Sequence, residues 1–351
     1  MTTIYLHIGM PKTGTTYLQH FLFENREKLL KQGYLYPLPT KILNKQNITS
    51  KNHHGLANGL LKIYRTKNPC ANEQLNSNNM EGRWENMKRE IKTLKPKNVI
   101  ISSEAFTAKQ EFYNPDIIEL VKKKLDGYET KIVIYIRRQD EFFMSWYNQN
   151  VKFPIYFNNF PQINDINYNN MKDIMQWVGQ NKKIGDFYSI LEPWRKSFGI
   201  KNIIVRIFEK EQMTNGSLLD DFFETIDFNH NQSDFDLSHA MIRNVSLNGK
   251  IIKIKNLMDE ISQMKRFKKN HQARYYFEQS VLVRKYMTMY TNLTIKLAFI
   301  MSRFIPDFLI NEELLSKEDK ANIMNEFETS NRKVAQEYLG RSDGRLFYSS
   351  P

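Results

Sequence analysis

The sequence predicts an α/β protein of three layers, with a central parallel sheet of about five strands and a helical C-terminal region. Three observations predict it. Short apolar runs rich in Ile, Val and Tyr recur at residues 4–8, 98–102, 131–136 and 202–208. Stretches of helical periodicity separate them, and strands that alternate with helices form a parallel sheet covered on both faces. Beyond about residue 240 the strand-like runs stop and only helical periodicity continues.

The elements follow in order. Residues 4–8 read as a buried strand, then a Gly/Pro turn, then an amphipathic helix over 15–31 that Gly33 ends. Tyr34, Leu35 and Tyr36 read as a short strand before Pro37 and Pro39. Residues 38–80, rich in Asn, Lys and Pro, read as loop with a helical patch at 56–64. After the strand at 98–102 come a helix at 116–125, a strand at 131–136 and a helix at 139–151. A helix at 188–198, a strand at 202–208 and a helix at 218–225 complete the alternating part. Helices are expected at 246–264, 274–304 and 317–338. The division expected is 1–240 as an α/β core and 241–351 as a helical region packed on it.

The chain has 351 residues, with 51 Lys and Arg against 38 Asp and Glu, a formal net charge of +13. A hydrophobic share of 41% and a charged share of 25% suit a packed core and argue against global disorder. The single cysteine, Cys70, excludes an intramolecular disulfide and a multi-cysteine metal cluster, and fits a reducing compartment. No apolar run approaches the ~18 residues of a membrane span, and the start lacks the pattern of a signal peptide. The expectation is a cytoplasmic protein that attracts anions. The excess charge is uneven. Residues 250–310 hold twelve Lys and Arg against Asp259, Glu260, Glu278 and Asp307, which is +8 of the +13. No zinc-finger spacing and no basic helix with leucine heptads occurs, so nucleic acid is not expected as a partner.

The turn after the first strand is Gly9-Met10-Pro11-Lys12-Thr13-Gly14-Thr15-Thr16. A glycine-containing turn that leads into a helix N-terminus gathers backbone N–H groups and a partial positive charge. Lys12 adds a full charge, and Thr15 and Thr16 add hydroxyls. Such a turn suits a phosphate-like anion. It is not a Walker A loop, in which the lysine follows the last glycine; here Lys12 precedes Gly14.

Pro11-Lys12-Thr13-Gly14-Thr15-Thr16 resembles the 5′-phosphosulfate loop of sulfotransferases that use 3′-phosphoadenosine 5′-phosphosulfate (PAPS). The run Ile136-Arg137-Arg138, with Ser145 eight residues after Arg137, is similar to the family's 3′-phosphate site. Two positions depart from it: Gln139 and Phe142 stand where the family often has proline and arginine, and Arg138 is the candidate to replace the missing charge. Tyr135 to Glu141, Ser145-Trp146-Tyr147-Asn148-Gln149, His53-His54-Gly55-Leu56-Ala57 and Ser102-Ser103-Glu104 look like bacterial carbohydrate-type sulfotransferases. So do Asn244-Val245-Ser246-Leu247, Ser330-Asn331-Arg332 and Leu346-Phe347. The likeness spans most of residues 3–250 and the last twenty or so; residues 260–315 match no family pattern.

The resemblance implies a P-loop-like fold and transfer of a sulfuryl group from PAPS to a carbohydrate hydroxyl, on a surface glycan, glycolipid or oligosaccharide. The product nucleotide would be 3′-phosphoadenosine 5′-phosphate (PAP), and no metal is implied. Lys12 would stabilise the bridging oxygen and the leaving phosphate. Pro11, Thr13, Gly14, Thr15 and Thr16 would complete the 5′ cradle, and Arg137 and Ser145 would hold the 3′-phosphate.

The general base stays open. Glu104 follows a strand and so reaches the carboxyl edge of the sheet; with a raised pKa it could take the acceptor proton. His54 and His53 are the other candidates, since a neutral imidazole suits that step near pH 7. Glu104 is favoured, then His54. His7, inside a strand, reads as structural. The competing readings are a nucleotide kinase with an unusual phosphate loop and a non-catalytic protein that binds polyanions or membranes. The basic segment 250–310 is expected to meet an acidic glycan or the inner face of an anionic membrane.

Overall fold

A computed structural model of the chain describes residues 1–38, 51–67, 78–152, 175, 178–179, 181–229, 235, 247–261, 281–306 and 313–349. In chain order the first half holds β1 (Thr3–His7), α1 (Thr15–Glu24), α2 (Arg26–Lys31), β2 (Tyr34–Leu35), α3 (His54–Lys67) and α4 (Asn78–Leu94). It continues with β3 (Asn98–Ser102), α5 (Ala105–Ala108), α6 (Pro115–Lys124), β4 (Glu129–Ile136) and α7 (Gln139–Lys152). After these come α8 (Lys182–Gly185), α9 (Phe187–Phe198), β5 (Ile203–Ile207), α10 (Leu218–Thr225), α11 (Gly249–Ile261), α12 (Val281–Ser302), α13 (Lys317–Glu326) and α14 (Glu328–Leu339).

The five strands form one parallel sheet in the order β2-β3-β1-β4-β5. β1 sits in the centre, with Tyr5 opposite Ile100 of β3 and Lys131 of β4. From β1 the sheet grows outward in both directions, so the carboxyl ends of β1, β3 and β4 border the crevice that such a strand order opens. The strands are buried almost throughout, as expected of a parallel sheet covered on both faces. On one face Tyr5, Ile100, Val133 and Tyr135 pack with Leu18, Phe21 and Leu22 of α1 and Leu219, Phe222 and Phe223 of α10. Residues of alternate register, such as Ile4, Leu6, Ile101, Ile132 and Ile134, point the other way and are also fully buried. α9 packs against β4, β5, α6 and α14.

A buried carboxylate locks β4, β5 and α10 together. Asp221 accepts from Tyr135 Oη at 2.6 Å, from Arg206 Nε at 2.9 Å and from the Thr214 N–H at 3.0 Å. Arg206 Nη2 completes a bidentate pair.

Several helices differ from the expectation. The helix expected at 15–31 breaks at Asn25, whose amide donates to the Phe21 carbonyl at 3.1 Å, and Arg26 then turns to the Tyr36 carbonyl at 2.9 Å. The helix expected at 317–338 divides at Phe327 into α13 and α14. α4 stands where no helix was expected; its buried face is Trp84, Met87 and Ile91, at helical spacing within a polar sequence.

Of the described residues, those within 1–138, 186–243 and 327–349 form one compact unit, and those within 139–185 and 244–326 form a second. The segment 139–185 joins the helices of the second unit, and the closing residues join the first, which contains the whole sheet.

Within the second unit Asn148 of α7 donates to the Leu247 carbonyl at 2.5 Å and accepts from the Leu247 N–H at 3.1 Å. Asn256 of α11 donates to Tyr147 Oη at 2.9 Å. Ile251 and Ile254 of α11 pack on Ala298 of α12, with Leu247, Met258 and Ile305 around them. Cys70, Trp177, Asn244 to Ser246, and residues 262–280 and 307–312 of the basic segment lie outside the described residues. Among the described residues no helix is long and apolar enough to cross a membrane.

Candidate active site

The carboxyl ends of three neighbouring strands converge on the turn that follows β1. The backbone makes that turn with left-handed residues at Gly9 (φ 52°), Lys12 (φ 71°) and Gly14 (φ 75°). Glycine is required at Gly14 on two counts. Its φ is positive, and a Cβ there would stand 2.5 Å from Leu218 Cδ2 and 3.3 Å from the Phe208 ring. Gly9 lets the turn pass close to β3's end, since its Cβ would lie 3.0 Å from Thr15 and 3.4 Å from Glu104 Cα. Lys12 has no such excuse. A lysine in the left-handed region costs about 1 kcal/mol or more, and backbone strain of this kind gathers at working sites.

The three threonines of the turn divide into separate tasks. Thr13 is buried and its hydroxyl donates to the Met10 carbonyl at 2.7 Å, closing the turn on itself. Thr15, in the first turn of α1, is buried and donates to Glu104 Oε2. Thr16 is exposed, so of the three its hydroxyl faces solvent. From β3's side, Thr107 donates to the Gly9 carbonyl and pins the start of the turn.

Glu104 lies two residues past β3, whose trailing backbone is held by the Ser103 N–H to His7 carbonyl bond at 3.0 Å. One carboxylate oxygen takes the Thr15 hydroxyl; the other stands 3.8 Å from His54 Nε2. His54 opens α3, and its Nδ1 pairs with Ser103 Oγ at 2.8 Å. Ser103 Oγ also accepts the Ala105 N–H at 3.2 Å. Burial holds the His54 imidazole below its ordinary pKa against the opposing pull of Glu104, with Lys109 lowering it further. The ring is therefore neutral at pH 7. Sequence reasoning singled out Glu104 and His54 but missed Ser103, the hydroxyl that fixes the ring between them.

His53 does something else. Its Nδ1 accepts the Ser102 N–H at 3.1 Å, which makes Nε2 the protonated nitrogen, and Nε2 donates to the Pro37 carbonyl at 2.9 Å. Burial pushes its pKa down to about 4. Both nitrogens are committed to backbone, so this candidate base is a structural brace between β3 and the segment after β2. His7, expected to be structural, is fully buried, paired through Nδ1 with Ser102 Oγ at 2.8 Å, and pushed down to about 3.

On the other flank Arg137 follows β4 directly. Its Nη1 donates to the Lys12 carbonyl at 3.3 Å, and its guanidinium lies 5.7 Å from the centre of the Phe208 ring. Arg138 is buried and turns instead to the chain's closing residues, donating to Ser349 Oγ at 3.1 Å. That tail is fastened by Glu209, which accepts the N–H groups of Tyr348 (2.9 Å) and Ser349 (2.8 Å). Burial raises the Glu209 carboxyl, but hydrogen bonds from the Gln212 side chain, the Ser349 hydroxyl and these N–H groups outweigh it and hold the carboxyl below the usual carboxylate range. Sequence reasoning did not single out Glu209 or Ser349. Ser145 lies on α7, partly buried, in the second unit.

Among the described residues no three His, Cys, Asp or Glu side chains gather as a metal site. No family model matches the chain, and no solved structure matches it. A stretch of 130 residues, 36% of this chain, is 34% identical to a protein of Archaeoglobus fulgidus described as "Uncharacterized protein". The match spans 30% of that protein's length.

Proposed function

We propose that this protein is a sulfotransferase that moves the sulfuryl group of PAPS to a hydroxyl of a carbohydrate acceptor. One observation carries the reading. A cation from the end of β4, Arg137, and a carboxylate beyond the end of β3, Glu104, both reach the same Lys- and Thr-bearing turn after β1. An anion cradle with a base beside it is what transfer of a charged group to a hydroxyl needs.

The turn's conformation suits the donor. Left-handed residues spaced along a turn are those that aim successive N–H groups at an anion, and a side chain at Gly14 would crowd it. In this reading the turn, Lys12 and the Thr16 hydroxyl hold the 5′-phosphosulfate. Arg137 holds the 3′-phosphate. Thr15 keeps Glu104 in place rather than binding phosphate itself. A bond forms between the acceptor oxygen and sulfur while the bond from sulfur to the bridging oxygen breaks. The acceptor proton passes to Glu104, and PAP leaves. Lys12 offsets the charge that builds on the bridging oxygen. His54, steadied by Ser103, stands 3.8 Å from the other Glu104 oxygen.

Calorimetry with PAP tests the reading. Micromolar binding is expected, weakened at least about tenfold by Arg137→Ala, the loss of one charge-assisted contact. Folded protein that takes up ATP and Mg²⁺ but not PAP would overturn it in favour of a kinase.

A further inference from the structure

The helix α12 packs its small side and exposes its large one. The residues it turns inward are Thr291, Thr294 and Ala298, all buried, with Ala298 set against Ile251 and Ile254 of α11. Thr294's hydroxyl bonds back to carbonyls of its own helix, Tyr290 and Thr291, each at 3.0 Å. The bulky apolar residues lie outside. Tyr286, Met289, Leu293, Leu297 and Ile300 are 40–62% exposed, and Phe304, just beyond the helix end, is 80% exposed. Their spacings of three and four residues set all six on one stripe of a helix with 3.6 residues per turn.

Charge runs beside the stripe. Lys296 and Arg303 are exposed and follow one margin of it, and Arg303 lies 4.8 Å from the centre of the Phe299 ring. The sequence of α12 contains Arg284, Lys285 and Lys296 and no Asp or Glu.

We propose that this stripe seats on an anionic phospholipid surface. The apolar side chains enter the boundary between headgroups and acyl chains, and Lys296 and Arg303 meet lipid phosphates. An exposed apolar stripe of this length marks a docking surface. The cationic margin, with no carboxylate on the helix, assigns the partner a negative surface. A second copy of the chain fits poorly, since symmetric pairing of the stripes would bring like charges together. The helix is not apolar enough to cross the bilayer, so it lies in the interface plane. The proposal goes beyond the transfer reaction and does not depend on it.

Co-sedimentation of the full chain with phosphatidylcholine vesicles, with and without phosphatidylglycerol, tests it. Partition should be about tenfold stronger, or more, with phosphatidylglycerol. Leu293→Glu/Ile300→Glu and Lys296→Glu/Arg303→Glu should each lower that partition about tenfold or more, with circular dichroism and Tm unchanged because all four side chains are exposed. Absence of binding by the parent protein, or equal binding by parent and variants, would overturn it. So would a dimer that Leu293→Glu/Ile300→Glu dissolves in a protein that ignores vesicles.

Discussion

Thr15 donates its hydroxyl to Glu104 across 89 residues of sequence, tying the first turn of α1 to the end of β3. The bond joins the two halves of the proposed chemistry, an anion cradle on one side and a proton acceptor on the other. It also explains why a threonine of the turn is not spent on phosphate. The bond positions one carboxylate oxygen, and the His54 imidazole lies 3.8 Å from the other.

Glu104→Gln separates base from cradle. The amide oxygen can still accept from Thr15, so the turn stays in place and PAP affinity should stay within about twofold. Transfer to a responsive glycan should fall about 100-fold or more, the usual worth of general-base catalysis. Transfer measured with radiolabelled donor, beside calorimetry, reads both quantities. Full turnover in the Gln variant would move the base elsewhere, to His54 first.

Lys12 gives a test in which stability and activity move in opposite directions. Its backbone sits at φ 71°, so Lys12→Gly relieves conformational strain and should raise stability by about 1 kcal/mol in urea unfolding. The same variant removes the charge proposed to offset the bridging oxygen, and transfer should fall about 100-fold or more. Lys12→Ala loses the charge without the relief. A lysine with only a structural role would leave transfer unchanged in the Gly variant, whatever happened to its stability.

Much of this was legible in the sequence, and the reasons are local. β1, β3 and β4 announce themselves as apolar runs because a parallel strand buried on both faces has no polar alternation to hide it, and β5, at the sheet's edge, shows its buried Ile203, Val205 and Ile207 in alternation. The turn 9–16 was legible because glycine, lysine and threonine before a helix have few bland uses together. α4 was missed because its buried residues, Trp84, Met87 and Ile91, are sparse among charged neighbours. His53 and His54 could not be told apart, since adjacent letters say nothing about which ring meets backbone and which meets a carboxylate. The stripe on α12 was read only as charge, because its inward face is the less apolar one.

Asp221 should prove a keystone of the sheet's far side. It is fully buried and accepts from Tyr135, Arg206 and Thr214. Asp221→Asn leaves Arg206 without its counter-charge and turns an N–H₂ toward donors. The expected cost is roughly 2–4 kcal/mol, moderated because Arg206 keeps partial access to water. Arg206→Leu combined with Asp221→Asn should recover part of that loss, and a double-mutant cycle in urea measures how much. Strict additivity of the two single changes would show that the pair is not coupled.

The buried histidines set an acid limit on stability. His7 and His53 are held at about 3 and about 4, against 6.5 for the free side chain, because burial disfavours the charged ring. The unfolded chain therefore binds more protons than the folded one below pH 6.5. Stability is full above that value and is lost as pH falls toward 4 for His53 and toward 3 for His7. Between pH 7.5 and 4.5 each ring should cost the folded state roughly 2–3 kcal/mol. His7→Asn removes one titrating ring and keeps a polar group near Ser102. It should start less stable at pH 7.5, through lost packing against Tyr135 and Phe222, yet lose less on acidification than the parent. Urea midpoints at the two pH values decide the matter. An equal acid loss in both chains would mean that His7 titrates normally in the fold and that its burial is not what limits acid stability.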